Sequence, residues 1–147
     1  MPKFAANLSL LFPELPFLDR FAAARSAGFS AVEVLFPYDI NARDILSALQ
    51  AASLDLVLIN TPPPNWTGGD RGFAAIPGGQ DRFRYDFKRA LRYADVLGAQ
   101  MVHVMSGVAQ GQDAHDTMIE NLKWAPDYAP KQRLTIEPIN TDDMPGY

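Results

Sequence analysis

Apolar and polar positions along the chain follow two periods, one typical of strands and one typical of helices. Short apolar runs bounded by Pro, Gly or Asn predict five strands, and longer segments with apolar residues every three or four positions predict four helices. The predicted strands are residues 4–9, 31–36, 54–60, 101–105 and 134–139, and the predicted helices are 16–27, 42–52, 81–97 and 114–125. Strands and helices therefore alternate along the whole chain, which is typical of α/β proteins.

The alternation predicts a parallel sheet with right-handed crossovers. Two architectures are compatible with it, an open doubly wound sheet and a partial (β/α)8 barrel of TIM-barrel type. Neither G-x-G-x-x-G nor G-x-x-x-x-G-K-[ST] occurs in the sequence, which argues against a nucleotide cofactor and against a nucleotide-binding doubly wound fold. A flavodoxin-like sheet remains an alternative to the barrel at this point.

A long connection rich in Pro and Gly, residues 61–80, separates the third predicted strand from the third predicted helix. At about twenty residues it exceeds the ~12–15 that ordinary loops reach, and loops of that length commonly have a function. Because this one carries Trp66, Arg71 and Phe73, we expect a packed loop that faces a ligand.

One polar side chain lies in or near the second half of each predicted strand. Strands of a parallel sheet are usually almost wholly apolar, and an unpaired buried carboxylate is costly. In a barrel, alternate strand residues face the interior, here including Leu56 and Leu58, and the chemistry takes place at the carboxyl ends of the strands. We therefore predict one site formed by Asn7, Glu33, Asn60, His103 and Glu137.

Each of these residues also has a purely structural interpretation. Glu33 could pair with an Arg or Lys, His103 could be a core histidine, and the two asparagines could only cap loops. Glu137 could accept a hydrogen bond from a backbone N–H at the strand end, and Arg71 could be a surface charge.

Two carboxylates, a histidine and amides suit metal-assisted proton transfer. Carboxylates and imidazole bind divalent ions such as Mg²⁺ or Mn²⁺. A carboxylate beside a metal-bound carbonyl can remove the proton from the adjacent carbon, and a second carboxylate can return it to the neighbouring carbon. An Arg from the long loop can hold a substrate carboxylate by a two-pronged contact. Such a transfer is an isomerisation of aldose–ketose type. Composition and spacing alone, however, predict no more than metal-assisted proton transfer.

Composition and charge narrow the class of protein. The 147 residues suit a single domain, residues 1–147. The chain has 13 Lys+Arg and 17 Asp+Glu, a net charge of −4, which argues against a nucleic-acid partner. It has no cysteine, which excludes a disulfide scaffold and a Cys nucleophile. No apolar run reaches the ~18 residues of a membrane span, and no signal-peptide pattern is present, so we expect a cytoplasmic protein with no membrane partner.

Several segments resemble the hydroxypyruvate isomerase family. They are FAANLS (4–9), FAAARSAGF (21–29), GDRGFAAIPG (69–78), VHVMSG (102–107) and IEPIN (136–140). The resemblance spans essentially the whole chain, and its motifs follow in the family's order, although the family pattern has Arg where this chain has Asp142. It implies a xylose-isomerase-like (β/α)8 barrel. Such barrels run to ~250 residues, so we expect this chain to be its N-terminal part, with about five strands.

The resemblance also implies an activity, the interconversion of hydroxypyruvate and 2-hydroxy-3-oxopropanoate within glyoxylate metabolism. The proton transfer would be glutamate-mediated and metal-assisted, and would pass through an enediolate. The resemblance implies that Glu137 is the catalytic glutamate and a metal ligand. The substrate-binding residues are then Arg71, His103, Glu33 and Asn7, to which the strand pattern adds Asn60.

The remaining metal ligands and a second catalytic glutamate belong to later strands in this family. We therefore expect the 147-residue chain by itself to be inactive or nearly so, and its open sheet edge to favour a homo-oligomer. The alternatives are a related sugar-acid isomerase or epimerase, a non-catalytic truncated barrel that acts as an assembly or binding module, and a metal-dependent endonuclease acting at abasic DNA.

Overall fold

The computed structural model describes residues 2–63, 71–140 and 142–146. In this part of the chain five strands form one sheet in the order β1-β2-β3-β4-β5, and every neighbouring pair is parallel. The elements in chain order are β1 (Ala6–Asn7), α1 (Asp19–Ser26), β2 (Ala31–Val34), α2 (Ala42–Ala52), β3 (Asp55–Asn60), α3 (Gln80–Leu97), β4 (Met101–His103), α4 (Gln112–Tyr128) and β5 (Arg133–Thr135).

The strand order decides between the two predicted architectures. In a doubly wound sheet the order reverses at a switch point and helices cover both faces. Here the order follows the chain without a reversal, and each helix contacts the next one. Right-handed crossovers that all turn the same way place the four helices on one face of the sheet. The sheet is therefore one arc of a barrel, and the doubly wound alternative is wrong.

The helices match the predicted pattern to different degrees. α2 has the predicted bounds, because the Asn41 side chain accepts a hydrogen bond from the Arg43 N–H at 2.9 Å and caps its first turn. The helix predicted to end at residue 125 instead continues through Pro126 to Tyr128. The Tyr128 ring stacks on Trp124 with centroids 5.0 Å apart, which stabilises the last turn despite the proline.

The strands are shorter than predicted, most clearly at β5. The predicted strand 134–139 is observed as Arg133–Thr135, so Glu137 lies in the loop two residues beyond it. The reason is the neighbouring strand: β4 pairs with β5 only as far as His103 opposite Thr135, and Pro138 has no N–H with which to extend a ladder.

One residue faces the opposite way from its prediction. Val32 pairs with Leu56, but the next residue, Glu33, pairs with Leu58. β3 therefore carries an extra residue at this point, as in a β-bulge, and the alternation of its side chains shifts. Leu58 shares the face of Glu33, whereas Leu56 shares the face of Val32 and is buried in the core. The expectation that Leu56 faces the barrel interior is wrong for this reason.

The main core lies between the sheet and the helices. Its largest fully buried side chains include Phe21, Ile45, Phe83 and Phe87, each of which contributes about 1.5–3 kcal/mol through burial. Phe83 and Phe87 lie one helical turn apart on α3 and both pack edge-on against Trp124 of α4. Among the described residues, no helix is long and apolar enough to cross a bilayer.

The second half of the long connection packs tightly against the chain that follows β4. The Ala74 N–H donates to the Met105 carbonyl at 3.3 Å, and the Ala75 N–H donates to the Ser106 carbonyl at 2.8 Å. Gly72 forms an antiparallel bridge with Ser106. Residues 71–79, which we call the anchor segment, therefore form a packed loop; residues 64–70 of the predicted connection lie outside the described part.

Candidate active site

All six side chains proposed from the sequence line one cavity at the carboxyl ends of the strands. The cavity has a volume of about 590 Å³ and is called the mouth below. β1, β2, β3 and β4 each contribute one of these side chains, the anchor segment contributes one, and the loop after β5 contributes the last. They are Asn7, Glu33, Asn60, His103, Arg71 and Glu137.

Asn7 has two contacts that combine both of its predicted roles. Its Oδ1 accepts a hydrogen bond from the Ser9 N–H at 3.0 Å, so it caps the turn after β1. Its side chain also lies beside the Glu33 carboxylate and lowers the pKa of that carboxyl, and the two residues are paired in the sheet register. Asn7 therefore favours the charged form of the carboxylate beside it.

Glu33 is a half-buried carboxylate without a cationic partner among the described Lys and Arg residues. Burial raises the pKa of its carboxyl above the ordinary 4.5, the neighbouring Asn7 side chain partly offsets this, and the charge of Glu137 raises the pKa further. The structural interpretation of Glu33 as half of an ion pair is therefore not supported in this part of the chain.

His103 is a buried imidazole that faces the mouth. Its side chain is 4% exposed, and its Nε2 has no hydrogen-bond partner in the described structure. Burial lowers its pKa below 6.5, against a smaller opposite effect of the Glu137 charge, so the ring is mainly neutral at pH 7. A buried polar atom without a protein partner is costly, so this nitrogen is a candidate contact for a ligand in the mouth that His103 lines.

Hydrogen bonds to the backbone of Asn60, and bonds made by the next residue, hold Asn60 in position. The Tyr38 hydroxyl donates a hydrogen bond to the Asn60 carbonyl. The next residue, Thr61, joins β3 to β4, because its N–H donates to the His103 carbonyl at 2.9 Å and its hydroxyl accepts from the Met105 N–H at 3.2 Å. These bonds fix the relative positions of the two neighbouring strand ends that carry Asn60 and His103.

Arg71 and Glu137 are exposed side chains at the rim of the mouth. The Arg71 carbonyl accepts a hydrogen bond from the Gly107 N–H at 3.1 Å, which fixes its main chain. Glu137 is close enough to Glu33 and His103 for its charge to raise the pKa of both groups. Among the described residues, the mouth thus combines one cation with two carboxylates and a neutral imidazole.

The sequence argument missed several residues that line or support the mouth. Leu10 and Phe36 form apolar parts of its wall, but they lie in loops whose course no periodicity predicts. Asn121 of α4 is fully buried and supports the anchor segment. A signal for it exists, because it lies at helical spacing with the buried Thr117 and Ala125.

The described residues do not by themselves form a metal site. Within residues 2–63, 71–140 and 142–146, no group of three or more His, Cys, Asp or Glu side chains could hold a metal ion. Mg²⁺ demands near-octahedral oxygen coordination, and the mouth offers the two carboxylates of Glu33 and Glu137. The role of Glu137 as a metal ligand therefore stays a prediction, and no chemical step below depends on it.

A larger cavity, of about 860 Å³, lies on the other side of the molecule between α3 and α4. It is lined by Lys88, Arg92, Asp95 and Lys131 among others, and it contains none of the strand-end residues. The mouth is smaller, but the carboxyl ends of the strands are where barrel enzymes carry their chemistry. We therefore assign the candidate active site to the mouth.

In chemical terms, the mouth can bind a small acid and move a proton. Arg71 can hold a carboxylate in a two-pronged contact, and the exposed Glu137 carboxylate is a candidate base. The neutral His103 can exchange a proton or hydrogen bond with a ligand oxygen. The arrangement is that of a site for proton transfer on a small polar molecule.

Comparison with known proteins identifies the family. Residues 21–147 match the family model described as xylose isomerase-like TIM barrel. The chain belongs to this family, and its five parallel strands with flanking helices are part of that barrel, as predicted.

Two curated relatives show which members of the family the chain resembles. It is 48% identical to 2-oxo-tetronate isomerase from Cupriavidus necator and 39% identical to hydroxypyruvate isomerase from Escherichia coli. Each alignment covers 100% of this chain and 59% of the relative. The predicted resemblance to hydroxypyruvate isomerases is confirmed, and the chain corresponds to about three-fifths of the length of these proteins.

Solved structures give the same fold. A crystal structure from Brucella melitensis described as "AP endonuclease, family 2" superposes with a TM-score of 0.95 at 47% identity, covering 100% of this chain and 59% of that one. The 3-keto-D-glucoside 4-epimerase from E. coli has a TM-score of 0.73 at 16% identity, covering 95% of this chain and 57% of that one. The second likeness concerns the fold alone.

Proposed function

We propose that this chain carries the Arg71, His103 and Glu137 side of the active site of an isomerase of small hydroxy-oxo acids. The proposed reaction interconverts hydroxypyruvate and 2-hydroxy-3-oxopropanoate. The observation that carries the proposal is the convergence of six polar side chains from four strands and two loops on one cavity. The names of the two curated relatives support the class of reaction.

The reaction needs one proton to move between neighbouring carbons. Arg71 binds the carboxylate of hydroxypyruvate, which directs the hydroxymethyl carbon, C3, towards Glu137. Glu137 removes a proton from C3, and the electron pair forms the C2–C3 double bond of an enediolate with its charge on the C2 oxygen. The proton of the C3 hydroxyl moves to the C2 oxygen, and return of a proton to the C2 carbon then yields the aldehyde with a hydroxyl on C2. C3 is oxidised and C2 is reduced, so no external redox partner is required.

His103 fits the exchange of protons between the two oxygens. A neutral imidazole can donate from one nitrogen and accept at the other, and burial keeps the pKa of this ring low. Its unpartnered Nε2 is then the atom that bonds a substrate oxygen. The same steps apply to 2-oxo-tetronate, which also carries a hydroxyl on the carbon next to its keto group, so both acids are candidate substrates.

The test separates the first half of the reaction from the second. If the second catalytic carboxylate lies outside this chain, net isomerisation fails, but Glu137 still exchanges the C3 hydrogen of hydroxypyruvate with solvent. Incubation in D₂O with NMR detection measures this exchange. We expect exchange above the uncatalysed rate with the chain and none above it with Glu137→Gln, which keeps the size of the side chain.

Equal exchange with the chain and with Glu137→Gln would refute the assignment of Glu137 as the base. Titration with hydroxypyruvate, followed by NMR shifts of mouth residues, controls for binding, because Glu137→Gln should still bind the acid. A chain that binds without catalysing exchange would favour the alternative of a binding module.

The name of the Brucella structure makes cleavage of abasic DNA a second candidate. The net charge of −4 and the two glutamates at the mouth disfavour approach of a phosphate backbone. Salt-dependent binding to an abasic duplex, measured by fluorescence anisotropy, distinguishes the two functions. Tight, salt-sensitive DNA binding together with no binding of hydroxypyruvate would favour the endonuclease.

A further inference from the structure

The anchor segment, residues 71–79, is held from two sides. On the side of β4 it makes the Ala74 and Ala75 hydrogen bonds to Met105 and Ser106. On the side of α4, the Asn121 Nδ2 donates a hydrogen bond to the Ala74 carbonyl at 2.8 Å. Ala74 and Asn121 are both 0% exposed, so this bond lies wholly inside the protein.

Asn121 lowers the stability of the fold at this position. Its Oδ1 is buried and has no partner among the described residues, and an unpaired buried polar atom destabilises a fold. A leucine of similar size would avoid that cost and would suit the apolar face of α4, where Ala114 and Ala125 are also buried. Within the described part of the chain, the hydrogen bond to the Ala74 carbonyl is the one that this amide makes, and it offsets the cost.

We infer that Asn121 is a positioning residue for Arg71. It fixes the backbone of the anchor segment three residues after Arg71, while the Gly107 N–H fixes the Arg71 carbonyl itself. Arg71 therefore lies at the rim at the start of a hydrogen-bonded segment, and α4, on the far side of the sheet from the mouth, helps to fix the backbone from which its side chain extends. The functional part of this inference rests on the proposed function; the structural part does not.

The structural part is tested by amide hydrogen exchange, followed by NMR on the 147-residue chain. Asn121→Leu leaves the Ala74 carbonyl buried without its donor, so we expect the amides of Ala74 and Ala75 to exchange about tenfold faster. Thr117→Val is the matched control, because it also makes a buried polar position of α4 apolar but has no bond to the anchor segment. We expect the control to leave both amides unchanged.

Two results would overturn the inference: unchanged exchange at Ala74 and Ala75 in Asn121→Leu, or an equal acceleration in Thr117→Val. If Asn121→Leu does not fold, hydrogen exchange of the Asn121 side-chain amide in the wild-type chain tests the same bond. One side-chain amide proton of Asn121 should then be as protected as the Ala74 and Ala75 amides. Exchange at the rate of an exposed side-chain amide would rule the bond out.

The functional part is tested by a double-mutant cycle with Arg71→Ala, using turnover or, failing that, affinity for hydroxypyruvate. Asn121→Leu should raise KM or Kd severalfold without changing kcat, and it should cause no further rise when Arg71 is already Ala. Additive effects would refute a role through Arg71. If no binding or turnover is found at all, the proposed function fails, while the exchange data still decide whether Asn121 anchors the segment.

Discussion

Gly72 is the position where an added methyl group should damage this protein most specifically. A Cβ built there would lie 2.1 Å from the Met105 carbonyl oxygen, and the residue has φ of +105°. Gly78 is the matched control in the same segment: its φ is +78°, but a Cβ there would meet nothing within 4 Å. Comparison of Gly72→Ala with Gly78→Ala therefore separates steric collision from backbone strain.

The expected magnitudes follow from these contacts. Gly78→Ala should cost only the positive-φ penalty, about 1–2 kcal/mol. Gly72→Ala carries a similar penalty and must also push the anchor segment away from Met105 by about 1 Å to restore an ordinary C···O contact of ~3.3 Å. That shift breaks the Ala74 and Ala75 bonds to the chain after β4, worth about 1 kcal/mol each. The total for Gly72→Ala is then roughly 3–4 kcal/mol.

Urea unfolding of the two variants and the wild-type chain, followed by circular dichroism, measures the difference. With an m-value of about 1–3 kcal/mol/M, Gly72→Ala should lower the midpoint clearly further than Gly78→Ala at unchanged m. Equal midpoints would refute the close packing of the anchor segment against Met105. The backbone placement inferred for Arg71 would then lose its support as well.

Two further predictions concern the mouth. Arg71→Ala should raise KM, or Kd, for hydroxypyruvate by about tenfold to a hundredfold with little change in kcat, because a two-pronged charge-assisted contact is lost. Arg71→Lys should recover only part of the affinity. Steady-state kinetics or titration measures both effects, and an unchanged KM or Kd in Arg71→Ala would show that Arg71 does not bind the acid. His103 should make stability depend on pH: burial lowers its folded pKa below 6.5, so its contribution is complete above about pH 6.5 and is lost as the pH falls through the folded pKa. Urea unfolding between about pH 5 and pH 8 should show this loss in the wild-type chain and a smaller one in His103→Gln; identical profiles would contradict the burial of a neutral ring.

The periodicity of the sequence predicted the helices and strands well, because an element with one buried face has apolar residues at regular spacing along its own segment. The bounds of α2 were predicted correctly, since its apolar face and its Asn41 cap are both local features. The end of α4 was not, because the Tyr128 ring that stabilises the turn with Pro126 stacks on Trp124, which is itself held by Phe83 and Phe87 of α3.

The sequence predicted which residues line the mouth, but it did not predict how they are arranged in space. The polar residues at strand ends stand out because parallel strands are otherwise apolar, so Asn7, Glu33, Asn60 and His103 could be found from the sequence. That Glu137 lies beyond the end of β5 depends on where β4 stops pairing with β5, which no local pattern records. Their meeting in one cavity requires the strand order itself.

The sequence by itself determined which segments become strands and helices, which side chains stand out as candidates for chemistry, and which family the chain resembles. Only the tertiary structure decided that Leu56 turns to the core, that Asn7 lies beside Glu33, and that Asn121 holds the segment that carries Arg71. The physical reason is distance along the chain. Periodicity and caps act over a few residues. Register shifts, contacts between side chains of neighbouring strands and buried hydrogen bonds join groups that are tens of residues apart.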